Sequence, residues 1–196
     1  MSSTKEPGTR DRIVQSSAEL FRTQGYAATG VKQIVTAAQA PFGSLYHFFP
    51  GGKEQLGAEA IRVSGALYEL LIPAVLDPAP DLVTGVRDFF AGAAAHLVET
   101  DYADACPIAT VALEVASSDE QLRQVTTEIL DSWLSSATSR LEAGGVAPKR
   151  ARQLAVLLVA ALEGGFLLSR AAKDPAPMQT IGRLVAELVE AAVAAS

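Results

Sequence analysis

Apolar residues recur along this chain at intervals of three and four, and no stretch reads convincingly as a strand, so the pattern predicts an all-α protein. A first helix spans about residues 9–24, with Ile13, Val14, Ala18, Leu20 and Phe21 on its inner face and Gly25 to end it. Thr29 offers an N-cap to a short second helix whose Val31, Ile34, Val35 and Ala38 fall at i, i+3, i+4 and i+7. A three-residue connection, Gln39 to Pro41, leads to a third, very short helix with Pro41 in its first turn and Leu45 and Phe48 facing inward. Two short helices joined this tightly are the pattern of a helix-turn-helix. The run Phe49-Pro50-Gly51-Gly52 then breaks the chain, and Lys53 opens a long helix to about Leu71, before Pro73.

Beyond the proline-rich break at 73–80, a helix over 81–99 carries Leu82, Val86, Phe89, Phe90, Ala93 and Leu97 inward, with Asp81 as its cap. A polar, acidic loop over 100–107 precedes helices at 108–116 and 119–143, split by Ser117-Ser118, and Gly144-Gly145 ends the second. The last two helices, 148–172 and 177–195, are the most apolar. The count is about nine helices, without internal repeat or low-complexity tract.

The net charge of −6 is unpromising for a nucleic-acid binder until it is divided along the chain. Residues 1–62 carry seven Lys and Arg against five Asp and Glu, and the remaining 134 carry nine against seventeen. A mildly basic head on an acidic body can still hold DNA, because phosphate attraction is local and screened beyond about 10 Å. The longest apolar run, Leu154 to Leu162, is far short of the roughly 20 residues that cross a bilayer. Residues 1–9 lack the apolar core of a signal peptide, so the expectation is a cytoplasmic protein with no membrane segment. One cysteine, Cys106, excludes an intrachain disulfide and a multi-cysteine zinc site; it reads as a small apolar residue ahead of a redox sensor.

Gly25-Tyr26, Thr29, Ile34, Ala38, Gly43-Ser44-Leu45-Tyr46-His47-Phe48 and Lys53-Glu54-Gln55-Leu56, in that order and spacing, resemble the DNA-binding signature of the TetR family over about residues 10–62. Cys106-Pro107-Ile108-Ala109 through Glu114-Val115-Ala116 resembles the sensor domain of its LmrA/YxaF-like subgroup. The resemblance implies a dimeric regulator that binds double-stranded operator DNA and answers a small-molecule effector, with repression the family default. It divides the chain into a helix-turn-helix domain at 1–52, residues 1–8 being a disordered arm, and a larger effector-binding and dimerisation domain at 53–196.

On this reading the third helix presents Phe42, Gly43, Ser44, Tyr46 and His47 to a major groove. Gly43 lets backbone approach DNA closely, and the Ser44 hydroxyl reaches base or phosphate. Tyr46 and His47 resemble family positions that touch phosphate, with Thr29 and Lys53 adding contacts from neighbouring helix N-termini. Ala40 stands where the family commonly has Ser, so the third helix loses a cap. Phe42 stands where a polar or basic residue is frequent, and it suits a thymine methyl better than a guanine edge.

Two stripes mark the last two helices: Leu154, Leu157, Leu158, Ala161, Leu162, Gly165 and Leu168 on one, and Ile181, Leu184, Val185, Leu188, Val189, Ala192 and Val193 on the other. Val156 and Val159 widen the first beyond one packing face, and Gly164 and Gly165 permit close approach. A monomer core is one reading; the four-helix dimer interface of the family is the other, and the pattern resembles it. For the effector, a mostly apolar pocket in the acidic domain has Tyr68, Phe89, Phe90, His96, Trp133 and Phe166 as candidate walls, with plain core packing as the competing reading of each. The helix from Lys53 to Leu71, roughly 27 Å long at 1.5 Å per residue, is expected to link phosphate at one end to the sensor at the other.

An enzyme is the alternative from another class, but His47, His96, Cys106 and the carboxylates Asp101, Asp104, Asp119 and Glu120 form no metal-ligand or nucleophile motif. No catalytic residue, cofactor or metal is therefore expected. A helical small-molecule-binding or interaction module without DNA binding is the other alternative, with Ala40 and Phe42 its only hints.

Overall fold

The computed structural model describes residues 7–104 and 106–195, so the disordered arm expected at 1–8 lies, but for Pro7 and Gly8, outside the described residues. The elements among them are all helices: α1 (Thr9–Gln24), α2 (Val31–Ala37), α3 (Phe42–Phe48), α4 (Gly52–Glu69), α5 (Leu71–Leu76), α6 (Leu82–Glu99), α7 (Pro107–Val115), α8 (Glu120–Ala143), α9 (Pro148–Ala172) and α10 (Ala176–Ala194). The tenth helix is α5. The helix expected to run on to Leu71 stops at Glu69, and Pro73 sits in the first turn of a new helix, where a missing N–H forfeits no intrahelical bond. Contacts gather the chain into two compact units, one of residues up to Gly65 with Pro107–Thr127, the other of Ala66–Cys106 with residues from Glu128 on.

In the first unit, α1 buries Ile13, Val14, Ser17 and Phe21. Ser17 is tolerated there because its hydroxyl donates to the Ile13 carbonyl at 2.7 Å. Gly25 ends the helix at φ 85°, and a side chain at this position would also collide with the Glu114 carboxylate of α7. That carboxylate accepts the Ala27 N–H at 2.7 Å, so α7 fixes the turn between α1 and α2. Thr29 does not cap α2, as the sequence suggested: the cap position is Gly30, and the buried Thr29 hydroxyl turns back to the Gly25 carbonyl at 2.7 Å.

The turn between α2 and α3 closes with Ala40 N–H on Val35 O at 2.9 Å and Gln39 N–H on Thr36 O at 3.1 Å. This is the double-bonded helix stop that usually takes glycine, here with Gln39 at φ 49°. Pro41 precedes α3 instead of lying within it, and no side chain caps the helix. Leu45 is fully buried, but its inward companion is Phe49, 1% exposed, and not Phe48, which stays half-buried against His47. The period places 45 and 49, four apart, on one face.

In the second unit, α6, α9 and α10 close a core of Val86, Phe90, Leu97, Leu154, Leu158, Met178, Val185 and Val189, joined by Ala137 and Leu141 of α8. Each large side chain so buried is worth about 1.5–3 kcal/mol. Close approach is decided at Gly182, where any side chain would run into Phe90, and at Gly165, where a Cβ would lie 2.6 Å from Met178 Sδ. Asp81 caps α6 as expected, accepting from Thr84 N–H at 2.8 Å. Arg140 clasps Asp77 through Nε and Nη2 at 2.7 and 3.2 Å, tying the segment after α5 to α8. Although no apolar run is long enough, α9 as a whole has the length and composition to cross a membrane. It packs against α6 and α10 and leaves Val156, Leu157, Leu167 and Leu168 exposed.

Candidate nucleic-acid interface and ligand cavity

Of the side chains expected on the outer face of α3, Phe42 is 55% exposed and Tyr46 49% exposed, their rings tilted with centroids 6.0 Å apart. Gly43 and His47 are exposed, Ser44 is half-buried, and nothing lies within 4 Å of where a Gly43 Cβ would stand. The face is therefore continuous and open, backed by the buried Leu45 and Phe49. One turn of chain later, Gly52 at φ 67° starts α4, and Gly51 N–H donates to Gln55 Oε1 at 2.8 Å.

Two expected contributors are placed otherwise. Thr29 is 1% exposed with its hydroxyl committed to Gly25, so it shapes the α1–α2 turn instead of offering that hydroxyl outward. Lys53 is half-buried: Nζ donates to the Tyr26 carbonyl at 2.7 Å and stands 4.2 Å from the Tyr26 ring centroid. Burial lowers the Lys53 pKa against the opposing pull of Glu114, and burial, with Asp119 and Glu54 adding to it, pushes the Tyr26 phenol up to about 12. Two of the three ammonium protons remain for another acceptor. The other cations near the helix-turn-helix are mostly engaged within the unit: Arg10 with Glu59 at 2.8 Å, Arg12 with the Ala38 carbonyl at 3.1 Å, and Arg22 with Glu19. Lys32, which sequence reasoning passed over, is exposed on α2; its signal was a lysine in the first turn of the helix before the turn.

In the second unit a cavity of about 410 Å³ is walled by α5, α6, α8 and α9 with Tyr68 and Cys106. Tyr68, Phe89, His96, Trp133 and Phe166 line it, as the sequence suggested. Phe90 does not: at 1% exposure it belongs to the core against Gly182, while the neighbouring Phe89, about 100° further round α6, is only half-buried and reaches the cavity. Tyr68 stacks on Trp133 at 6.4 Å and 24°. His96 Nε2 lies 3.1 Å from Asp104 Oδ2, and the adjoining loop is held by Arg170 on the Tyr102 and Ala103 carbonyls at 3.0 and 3.2 Å. Sequence reasoning missed Glu163 and Cys106 in this wall. Glu163 had a signal: it is the one acidic residue in α9.

The candidate dimer stripes divide between inside and outside. Leu154, Leu158, Gly165 and Val185 are buried within the chain, and Ala161, Leu162 and Ile181 are half-buried. Left outside are Leu157 at 39%, Leu168 at 54%, Leu184 at 47% and Leu188 at 42%, joined by Val156 and Leu167. A Gly164 Cβ would meet nothing within 4 Å, so Gly164 faces outward where Gly165 faces in.

Residues 13–60 match the profile of bacterial regulatory proteins of the TetR family, and residues 83–184 match that of the LmrA/YxaF-like transcriptional regulator C-terminal domain. The HTH-type transcriptional regulator YxaF of Bacillus subtilis (strain 168) is 37% identical over 186 residues, covering 95% of this chain and 97% of its own length. The HTH-type transcriptional regulator LmrA of the same organism is 32% identical over 181 residues, covering 92% and 96%. Among solved structures, the regulatory protein TetR from Rhodobacter sphaeroides superposes with a TM-score of 0.81 at 20% identity, over 91% of this chain and 97% of that one, a likeness of fold.

Proposed function

Because the chain belongs to the TetR family of transcriptional regulators, with a C-terminal domain of the LmrA/YxaF-like kind, we propose that it is a homodimeric repressor released from operator DNA by a small molecule held in the second unit. The observation that carries the DNA half is the open outer face of α3 over a fully buried inner face. A helix seated by Leu45 and Phe49 can enter a major groove without giving up its packing. Phe42 and Ser44 read base edges there, Gly43 allows close backbone approach, and Tyr46, His47, Lys53 and Lys32 meet phosphate.

Homodimerisation rests on the exposed leucines of α9 and α10, which form one apolar face with the small Gly164 and Ala161 between them. That face also accounts for the composition of α9 without a membrane, and it suits a cytoplasmic protein. The effector site is the cavity beside Trp133, apolar and of the size that takes a small ligand. Relatives named as regulators favour a non-enzymatic role.

The test is operator selection from random DNA followed by mobility shift across a salt series. A near-palindromic site bound by two copies, with affinity falling steeply with salt, is expected. Salt-independent or undetectable binding overturns the proposal in favour of a helical interaction module.

A further inference from the structure

The cavity wall contains one group that core packing does not call for. Its lining is aliphatic and aromatic apart from His96, Cys106, Glu163 and the Tyr68 hydroxyl, and it includes no Lys or Arg. The Glu163 carboxyl accepts a hydrogen bond from the Cys106 thiol. Its Oε1 is out of contact with solvent, and no donor among the described residues reaches it. A buried carboxylate oxygen left without a donor is costly, and a leucine would fill the same place in an apolar wall without that cost. Burial accordingly raises the Glu163 pKa, the thiol bond working against it.

We propose that Glu163 is the polar anchor of the cavity and that the occupant is an apolar molecule of aromatic size bearing a protonated amine, whose ammonium pairs with the Glu163 carboxylate. The inference rests on the reading of the cavity as the effector site. The last torsion of a glutamate is soft, so Oε1 turns toward an incoming donor with little cost. With no Lys or Arg in the wall and His96 already engaged by Asp104, the counter-charge for Glu163 comes from the ligand. The faces of Trp133, Phe89, Phe166 and Tyr68 favour a cation over an anion. His96, paired with Asp104 at 3.1 Å, brings a second carboxylate up behind the same wall. An anionic ligand would set its charge against the Glu163 carboxylate, and a purely apolar one would leave Oε1 unanswered.

Three naphthalene probes of one shape test this by calorimetric titration of the full-length protein: 1-naphthylmethylammonium, 1-naphthylmethanol and 1-naphthoate. The ammonium is expected to bind about tenfold more tightly than the alcohol, or 1.4 kcal/mol, with the carboxylate weakest. Glu163→Gln should erase the preference for the ammonium and leave the alcohol where it was. The ranking in the unaltered protein needs no variant, so a Gln substitution that disturbs folding does not remove the test. An alcohol that binds as tightly as the ammonium overturns the anchor and spares the cavity reading. A preference that survives in the Gln variant likewise overturns the anchor. If none of the three binds, the cavity reading itself falls, and the anchor with it.

Discussion

On α3, seven residues long, the outward side chains are an aromatic pair, a hydroxyl and an imidazole around a bare glycine; on α9 and α10 the outward set includes Val156, Leu157, Leu167, Leu168, Leu184 and Leu188. Both faces stand over fully buried cores, Leu45 and Phe49 in the first unit, Leu154, Val185 and Val189 in the second. The helical period is the same, and so is the seating. What differs is the kind of contact each face can satisfy. Donors and ring edges suit a partner studded with acceptors, where geometry decides strength. An apolar face gains only by leaving water and is best matched by its own copy across a two-fold axis.

The comparison breaks most visibly at the leucines. Leu184→Asp with Leu188→Asp should give a folded monomer by analytical ultracentrifugation and lower operator affinity by about 100-fold or more, since one short helix makes too few contacts alone. A dimer that persists at micromolar concentration places the interface elsewhere.

Next in size is the seat of α3. Leu45→Ala removes a fully buried side chain from a small core and should cost about 2–5 kcal/mol in urea unfolding. Operator binding should be lost with it, even where the second unit stays folded and the cavity still takes a ligand. Equal loss of both activities would mean that the two units do not unfold separately.

The outer face of α3 separates reading from holding. Phe42→Ala and Ser44→Ala should each change preference at one base position by about 1–3 kcal/mol in a selection experiment. Tyr46→Ala should weaken all sequences alike. Lys53→Ala should lower the salt slope by about 0.9 if its two remaining protons reach a phosphate. An unchanged slope with reduced stability leaves Lys53 as the holder of the Tyr26 turn.

The smallest effect sharpens the contrast from the other side. Burial raises the Glu163 pKa in the fold, so its share of stability is fully present below the unfolded value near 4.5 and is lost as pH rises through the raised folded value. Glu163→Gln should therefore stabilise the ligand-free protein at pH 7 by about 1 kcal/mol, the scale of one unsatisfied buried group. The gain should vanish below pH 4.5. A gain independent of pH would mean that folding does not raise the Glu163 pKa.

Much of this was legible from periodicity and from a few residues with local meaning. The buried faces of α1, α2 and α6, the Asp81 cap and the extent of α9 follow from spacing and chain chemistry that act within a turn or two. So does the outward set on α3, because a short helix with one apolar face has only one way to turn. Differences arise where two local arrangements compete for the same residues. Thr29 is a good cap by type, yet Gly25 lies within reach of its hydroxyl and takes it. Phe49 replaces Phe48 because the chain leaving α3 still faces the core.

Sequence by itself determined the all-helical class, the order of every described helix but α5 and the face that α3 shows to solvent, because hydrophobic period and capping are local energies. Only the tertiary structure decided which leucines of α9 and α10 are core and which are left exposed, since a stripe does not say how many neighbours will cover it. Tertiary packing also separated Phe89 from Phe90, sending one to the cavity and the other against Gly182. The bare Oε1 of Glu163 is of the same kind: whether a carboxyl finds a donor depends on side chains brought from other helices, and spacing along one chain segment carries no record of them.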